Sequence, residues 1–162
     1  MTLHGPNNRY INDAGMVQAL AQFYSRIGIY SKVETLPSNV YFTRATKLEF
    51  GYMVLGWGTE SGEQGSAMRS LLATHDRAKG MGVNNRGRYS SPAFDKVLSD
   101  ALVTMDVKKR ESMIQQAAEI VMGDTGLSPR RHEVSTWAAT KGLKYTARTD
   151  QYTLSMGLKP VR

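Results

Sequence analysis

The chain holds 162 residues, 41% hydrophobic and 22% charged, which is enough for one domain with a buried core and unlike a disordered tail. Cysteine is absent, which excludes disulfides, thiolate metal sites and cysteine nucleophiles, and no apolar run nears the roughly 20 residues that cross a bilayer. The formal charge of +7 raises nucleic acid as a partner, but the basic residues are scattered. The densest groups, Lys108-Lys109-Arg110 and Pro129-Arg130-Arg131-His132, are short, whereas a nucleic-acid footprint takes a long stripe with interleaved aromatics.

Residues 1–4 read as a short strand, followed by turn chemistry in Gly5-Pro6-Asn7-Asn8. Asn12 or Asp13 caps a predicted helix with Met16, Val17, Leu20, Phe23, Tyr24 and Ile27 on one face, and Gly28 ends it. Tyr30 to Leu36 alternates as a strand. Pro37 breaks it, and Ser38 caps a second helix through Tyr41, Phe42, Ala45 and Leu48. After Gly51 the apolar run Tyr52 to Leu55 predicts a third strand covered on both faces, as in a parallel sheet flanked by helices. Two strand–helix–strand units in about fifty residues imply an α/β layer with right-handed crossovers.

A short helix is predicted from Ser66 to Thr74, then a long irregular segment, Ala78 to Tyr89, rich in Gly, Asn and Arg. A loop of that length in a small domain serves function or packs against another part. Ser91-Pro92 is a helix start, with serine at the N-cap and proline at the first helical position, and Phe94, Val97, Leu98, Ala101 and Leu102 form its buried stripe. Asp106 caps the last helix, with Met113, Ile114, Ala117, Ile120 and Val121 facing the core, and Gly123-Asp124 stops it. Leu127 to Ala138 reads as one strand. From Thr140 onward there is only short alternation and no core face, as of a strand waiting for a partner outside these 162 residues.

The chemistry is concentrated in "YMVLGWGTESGEQGS", Tyr52 to Ser66, where a strand opens into Gly-Trp-Gly and two carboxylates. Gly56 and Gly58 allow another backbone to approach and leave main-chain donors and acceptors free. Trp57 between them is equally a core plug or the wall of an apolar pocket. Glu60 read alone is a solvated loop acid, and Glu63 is a charge at the N-terminus of the helix near Ser66. Arg86 and Arg88 are loop cations able to clamp a carboxylate, and Trp137 is core or packs against another part of the protein. His4, His75 and His132 lack metal-ligand spacing. No Gly-x-Ser-x-Gly elbow and no glycine-rich phosphate loop is present, so no cofactor and no enzyme activity is expected. On residues alone, a stand-alone basic nucleic-acid- or protein-interaction module stays open, including a dimer made by swapping the C-terminal tail.

Three ordered stretches, "RYIND…ALAQFYSRIGIYSKVETLPSNVYFTRATKLEFGYMVLGWG", "NRGRYSSPAFDKVLSDALVTMDVKKRESMIQQAAEIVMGD" and "HEVSTWAATKGLKYTARTDQYT", resemble the extracytoplasmic solute-binding proteins of ABC importers, of the oligopeptide-, dipeptide- and nickel-binding type. The resemblance implies an α/β fold: one lobe of a two-lobed periplasmic-binding-protein architecture, a mixed sheet flanked by helices, with an extended C-terminal segment. Residues 1–140 would be the C-terminal lobe, and 141–162 would return to an N-terminal lobe that, with a signal peptide, lies outside these residues.

The resemblance further implies a binding protein of the periplasm that captures short peptides between its lobes and delivers them to a membrane permease, with no nucleic acid as partner. The strand ending in Gly56, Trp57 and Gly58 would line the cleft, with the ligand backbone paired beside it. The carboxylate at position 60, where the family pattern carries an acid that is usually aspartate, would meet the peptide's ammonium group. Glu63 is a substitute for that role; Arg88, a loop cation by its own reading, is kept as a candidate clamp for a ligand carboxylate.

Overall fold

The structure, a computed structural model, describes residues 1–59 and 62–161. Strand β1 (Thr2–Pro6) pairs in parallel with β2 (Lys32–Leu36), in register from Thr2–Lys32 to Pro6–Leu36. Helix α1 (Asp13–Ser25) makes the crossover between them. It lies so close that a methyl added at Gly5 would fall 2.3 Å from the Val17 side chain. Leu3, Val17, Leu20 and Val54 are the buried centre of this α/β layer.

The third strand is shorter than the apolar run Tyr52–Leu55 predicts. It reduces to a parallel bridge between His4 and Met53, made by His4 N–H to Tyr52 O (3.1 Å) and Val54 N–H to His4 O (2.9 Å). Helix α2 (Ser38–Thr46) secures this junction, with Ser38 inside the helix and Pro37 at its cap. The buried Tyr41 donates its phenol to Val54 O at 2.7 Å and, at 3.3 Å, to His4 O. Burial pushes that phenol's pKa well above the ordinary tyrosine value.

A separate core lies in the helices α3 (Gly65–Leu71), α4 (Pro92–Val103) and α5 (Val107–Gly123). Met68, Leu72, Phe94, Leu98, Ala101, Ile114, Ala117 and Val121 interlock there. Both caps predicted for the long helices are made: Ser91 accepts from Phe94 N–H and Asp106 from Lys109 N–H.

The irregular segment before α4 is pinned from within. Asp76 and Met81 exchange main-chain bonds of 3.0 Å, and Gly82 N–H reaches Arg69 O at 2.8 Å. Buried Asn85 donates to Ala73 O and Tyr89 O and accepts from Tyr89 N–H.

The C-terminal region differs from its predicted form. Residues 127–138 run without strand pairing among the described residues, because no neighbouring edge accepts their alternation. Beyond them β3 (Leu143–Tyr145) and β4 (Leu158–Pro160) form a small antiparallel ribbon, and Trp137 lies against Tyr145 and donates its indole N–H to Thr153. This arm folds back on the body. Arg130 donates to the phenols of Tyr24 and Tyr52, which themselves bond at 2.7 Å, and Arg131 donates to Ile11 O at 2.7 Å.

Candidate functional site

After Val54 the chain leaves β1, and its main chain changes character. Among the described residues, Leu55, Trp57, Gly58 and Thr59 make no main-chain hydrogen bond, and Gly56 is held through its carbonyl alone, by the Tyr10 phenol at 3.0 Å. Such a stretch leaves main-chain donors and acceptors without partners among the described residues, and main chain of this kind can pair with an added extended chain. Trp57 is 46% exposed, so its indole belongs to the surface of this edge and not to either core.

The two glycines flanking Trp57 have different physical reasons. A methyl at Gly56 would fall 2.7 Å from the Tyr10 ring, so the protein's own side chain requires a glycine there. Gly58 has no such neighbour. The nearest atom to a methyl built on it would be the carboxamide nitrogen of Gln151, at 3.7 Å, an ordinary contact distance. Close approach by an outside molecule is therefore a reason for Gly58 alone. Tyr10, which no local pattern singled out, is a structural component of the site, its phenol and ring setting the path of Gly56.

Glu60 lies outside the described residues, together with Ser61 and Arg162. Glu63 is ion-paired with Arg110 of α5 at 3.2 Å, and its carboxylate lies 3.2 Å from where a side chain on Gly65, the first residue of α3, would begin. Arg88 is exposed, at φ 54°, in the pinned loop before α4, and no hydrogen bond or ion pair joins it to residues 56–59. Its neighbour Arg86 is engaged instead with α2, over the Phe42 ring at 5.4 Å. Gly56, Trp57 and Gly58 thus form one continuous edge, and Arg88 stands apart from it.

The surroundings are polar at two further points. Arg44 bonds Glu34 and Glu49 at 2.7 Å each, and the Arg44 guanidinium holds the Glu34 carboxyl below its usual range. At the Tyr24–Tyr52–Arg130 junction, burial pushes the Tyr24 phenol up, the bond to Tyr52 adds to this, and Arg130 opposes both. An open recess of about 490 Å³ lies elsewhere, lined by Ser66, Arg69, Ser70, Leu102 and Arg110 among others. Among the described residues no group of three acidic or imidazole side chains is placed to hold a metal ion, and no helix is long and apolar enough to cross a membrane.

No protein-family model matches the chain. It is 28% identical over 117 residues to di/tripeptide-binding protein 1 of Pseudomonas aeruginosa, a match covering 72% of this chain and 21% of that protein. Among solved structures it resembles the periplasmic binding protein DppA of Helicobacter pylori in complex with the peptide STSA, with TM-score 0.64 and 26% identity, over 77% of this chain and 24% of that one. A dipeptide-binding protein of Pseudoalteromonas, in complex with Met-Leu, shares the fold with TM-score 0.78 over 99% of this chain and 32% of that one, at 18% identity. The chain is thus similar to periplasmic solute-binding proteins of the peptide-, haem- and nickel-binding type, the family its sequence resembles. Its relatives are binding components of ABC transporters and not enzymes. It spans about a fifth of the length of the curated relatives it matches.

Proposed function

We propose that this chain is the C-terminal lobe of a periplasmic peptide receptor, residues 1–140 forming the lobe and 141–162 the segment that returns toward an N-terminal lobe. The complete receptor takes short peptides between its lobes and presents them to a membrane permease. One observation carries this reading: the edge 55–59, released from β1, offers unpaired main chain beside a half-exposed indole. An extended peptide bonds to that edge as an added strand, while Trp57 walls a side-chain pocket of low selectivity. The names of the relatives, several of them di- and tripeptide-binding proteins, support the same ligand class. Closure over the ligand gives the permease a conformation to sense.

In this reading Glu60 meets the ammonium group of the ligand. A charge-assisted hydrogen bond of this kind contributes about 1.5–3 kcal/mol, so Glu60→Gln in the complete receptor weakens peptides with a free amino terminus by about tenfold or more. N-acetylated peptides change little. Calorimetry with matched free and acetylated tripeptides separates the cases, and equal losses for both remove Glu60 from the role. The 162-residue chain alone binds more weakly than micromolar, because half of the burial and hydrogen bonding belongs to the other lobe.

A further inference from the structure

The arm does more than fold back on the body: its tip lies against the open edge. Thr149 and Gln151, two residues apart on the tip, face Gly58 and Gly62. The Gln151 carboxamide nitrogen sits 3.7 Å from where a Gly58 side chain would begin, and the Thr149 methyl sits 4.0 Å from the same point on Gly62. The tip thus lies over the side-chain faces of Gly58 and Gly62.

The tip is a built turn. Asp150 accepts from the Arg148 guanidinium through both oxygens, at 2.9 and 3.1 Å to Nε, and also from Tyr152 N–H at 3.1 Å. Gln151 N–H closes the turn on Arg148 O at 3.2 Å. The Asp150 side chain is 18% exposed, whereas Val134, Tyr152 and Met156 elsewhere in the arm are open to solvent. The Arg148 bond holds the Asp150 carboxyl below its usual range, so the turn keeps its charge pair through the neutral range. A recess of about 330 Å³ opens beside it, lined by Ala147, Arg148, Thr149 and Asp150.

Gln151 itself has φ 66°, the left-handed region that residues with a β-carbon disfavour, and glycine or asparagine would hold it with less strain. Its carboxamide makes no hydrogen bond with a described residue. A strained backbone that presents an unpaired carboxamide to an open main-chain edge is an outlier that points to function. A carboxamide carries one acceptor and a donor group, the complement of a peptide unit.

We infer that the arm tip is a second wall of the ligand groove, and that the Gln151 carboxamide hydrogen-bonds the main chain of a peptide lying along residues 55–59. The inference rests on the peptide-binding reading above and adds to it the residue that faces the ligand from the arm. Gln151 acts on ligand main chain, so it contributes affinity without side-chain selectivity. Arg148 and Asp150 position it.

Amide NMR titration of the 162-residue chain with trialanine, carried into the millimolar range, tests this. The expected result is a shift of the Trp57 and Gly58 amides together with the Gln151 side-chain NH₂ pair. Gln151→Gly, which removes the carboxamide and relieves the backbone, then weakens trialanine about fivefold, the worth of one neutral hydrogen bond. Gln151→Asn keeps a left-handed-tolerant residue with a shorter reach and gives a smaller loss. Shifts at Trp57 and Gly58 with a silent Gln151 pair, and equal affinity in Gln151→Gly, overturn the arm's role and leave the edge as the peptide site. No shift at Trp57 or Gly58 overturns the peptide reading and this inference together. An unchanged unfolding temperature in both variants keeps a folding defect from imitating the result.

Discussion

The helical core and the C-terminal arm are held in opposite ways. In α3–α5, Phe94, Leu98, Ala101 and Ala117 have no exposed surface, and the starts of α4 and α5 are fixed by side-chain caps. In the arm, Val134 is 75% exposed and Met156 78%, and order comes from a two-strand ribbon, one aromatic contact and a few arginine bonds. The first region is a core that the sequence fills by itself. The second is a surface element with no buried apolar residue among the described ones, and its geometry depends on a few point contacts. A receptor that closes by moving one part against another draws its moving parts from the second kind.

The contrast breaks first on packing. Phe94→Ala leaves a cavity at a fully buried position and costs about 3–5 kcal/mol, a large fraction of the stability of a domain this size. Val134→Ala in the arm stays within about 0.5 kcal/mol. Urea unfolding of the two variants gives a large loss for the first and none for the second. A comparable loss at Val134 would mean that the arm is packed as part of the core.

Tyr41→Phe comes next, because it probes the junction between the α/β layer and the open edge. The ring stays packed against Phe42 and Phe50, but the Val54 carbonyl loses its buried donor. The expected cost is about 1–3 kcal/mol, with faster amide exchange at Val54 than at any residue of α4. Uniform acceleration across both regions would show that the third strand is not separately anchored.

Helices α4 and α5 were legible because their signals are local: Ser91-Pro92, Asp106 and an apolar face at helical spacing each act within a few residues. The start of α1 was half legible. Asn12 or Asp13 is the expected cap; Asn12 takes the N-cap position at φ 53° without a side-chain bond, and the Asp13 carboxylate gathers the amides of Arg9 and Tyr10 from the preceding loop. Leu127–Ala138 alternates as a strand does, yet pairing needs an edge, and alternation does not say whether one exists. At the site, the open character of Gly-Trp-Gly was readable. That Gly56 answers to Tyr10, 46 positions earlier, was not, since no local pattern encodes a contact of that separation. Arg88 is exposed in the loop before α4, and no hydrogen bond or ion pair among the described residues joins it to Trp57.

Asp13 offers a smaller effect with a sign fixed by its surroundings. Burial would raise its pKa, but amide bonds from Tyr10, Arg9 and Ala14 together outweigh it and lower the value. A carboxyl lowered in the folded state adds stability that is full above its unfolded value, near 3.9, and is lost as the pH falls through the folded one. Asp13→Ala therefore costs about 1 kcal/mol at pH 7, or roughly 2–4 °C in Tm, and less at pH 3. A Tm difference between the two proteins that grows on acidification contradicts the assignment.

The smallest effect on stability is the most telling about the arm. Arg130 joins the arm to two elements at once, through the phenols of Tyr24 on α1 and Tyr52 at the root of the open edge, and it lies over the Tyr24 ring at 5.7 Å. Because the contact is exposed, Arg130→Ala changes global stability by no more than about 0.5 kcal/mol. The arm itself has no core to fall back on, and Arg131 at Ile11 is its remaining nearby anchor. Limited proteolysis between residues 127 and 140 should therefore run about fivefold faster in the variant, in line with one lost hydrogen bond, while cleavage within α4 and α5 stays unchanged. If the arm is cut at the same rate in both proteins, Arg130 does not hold it, and the path that brings Gln151 to Gly58 is set by the ribbon alone.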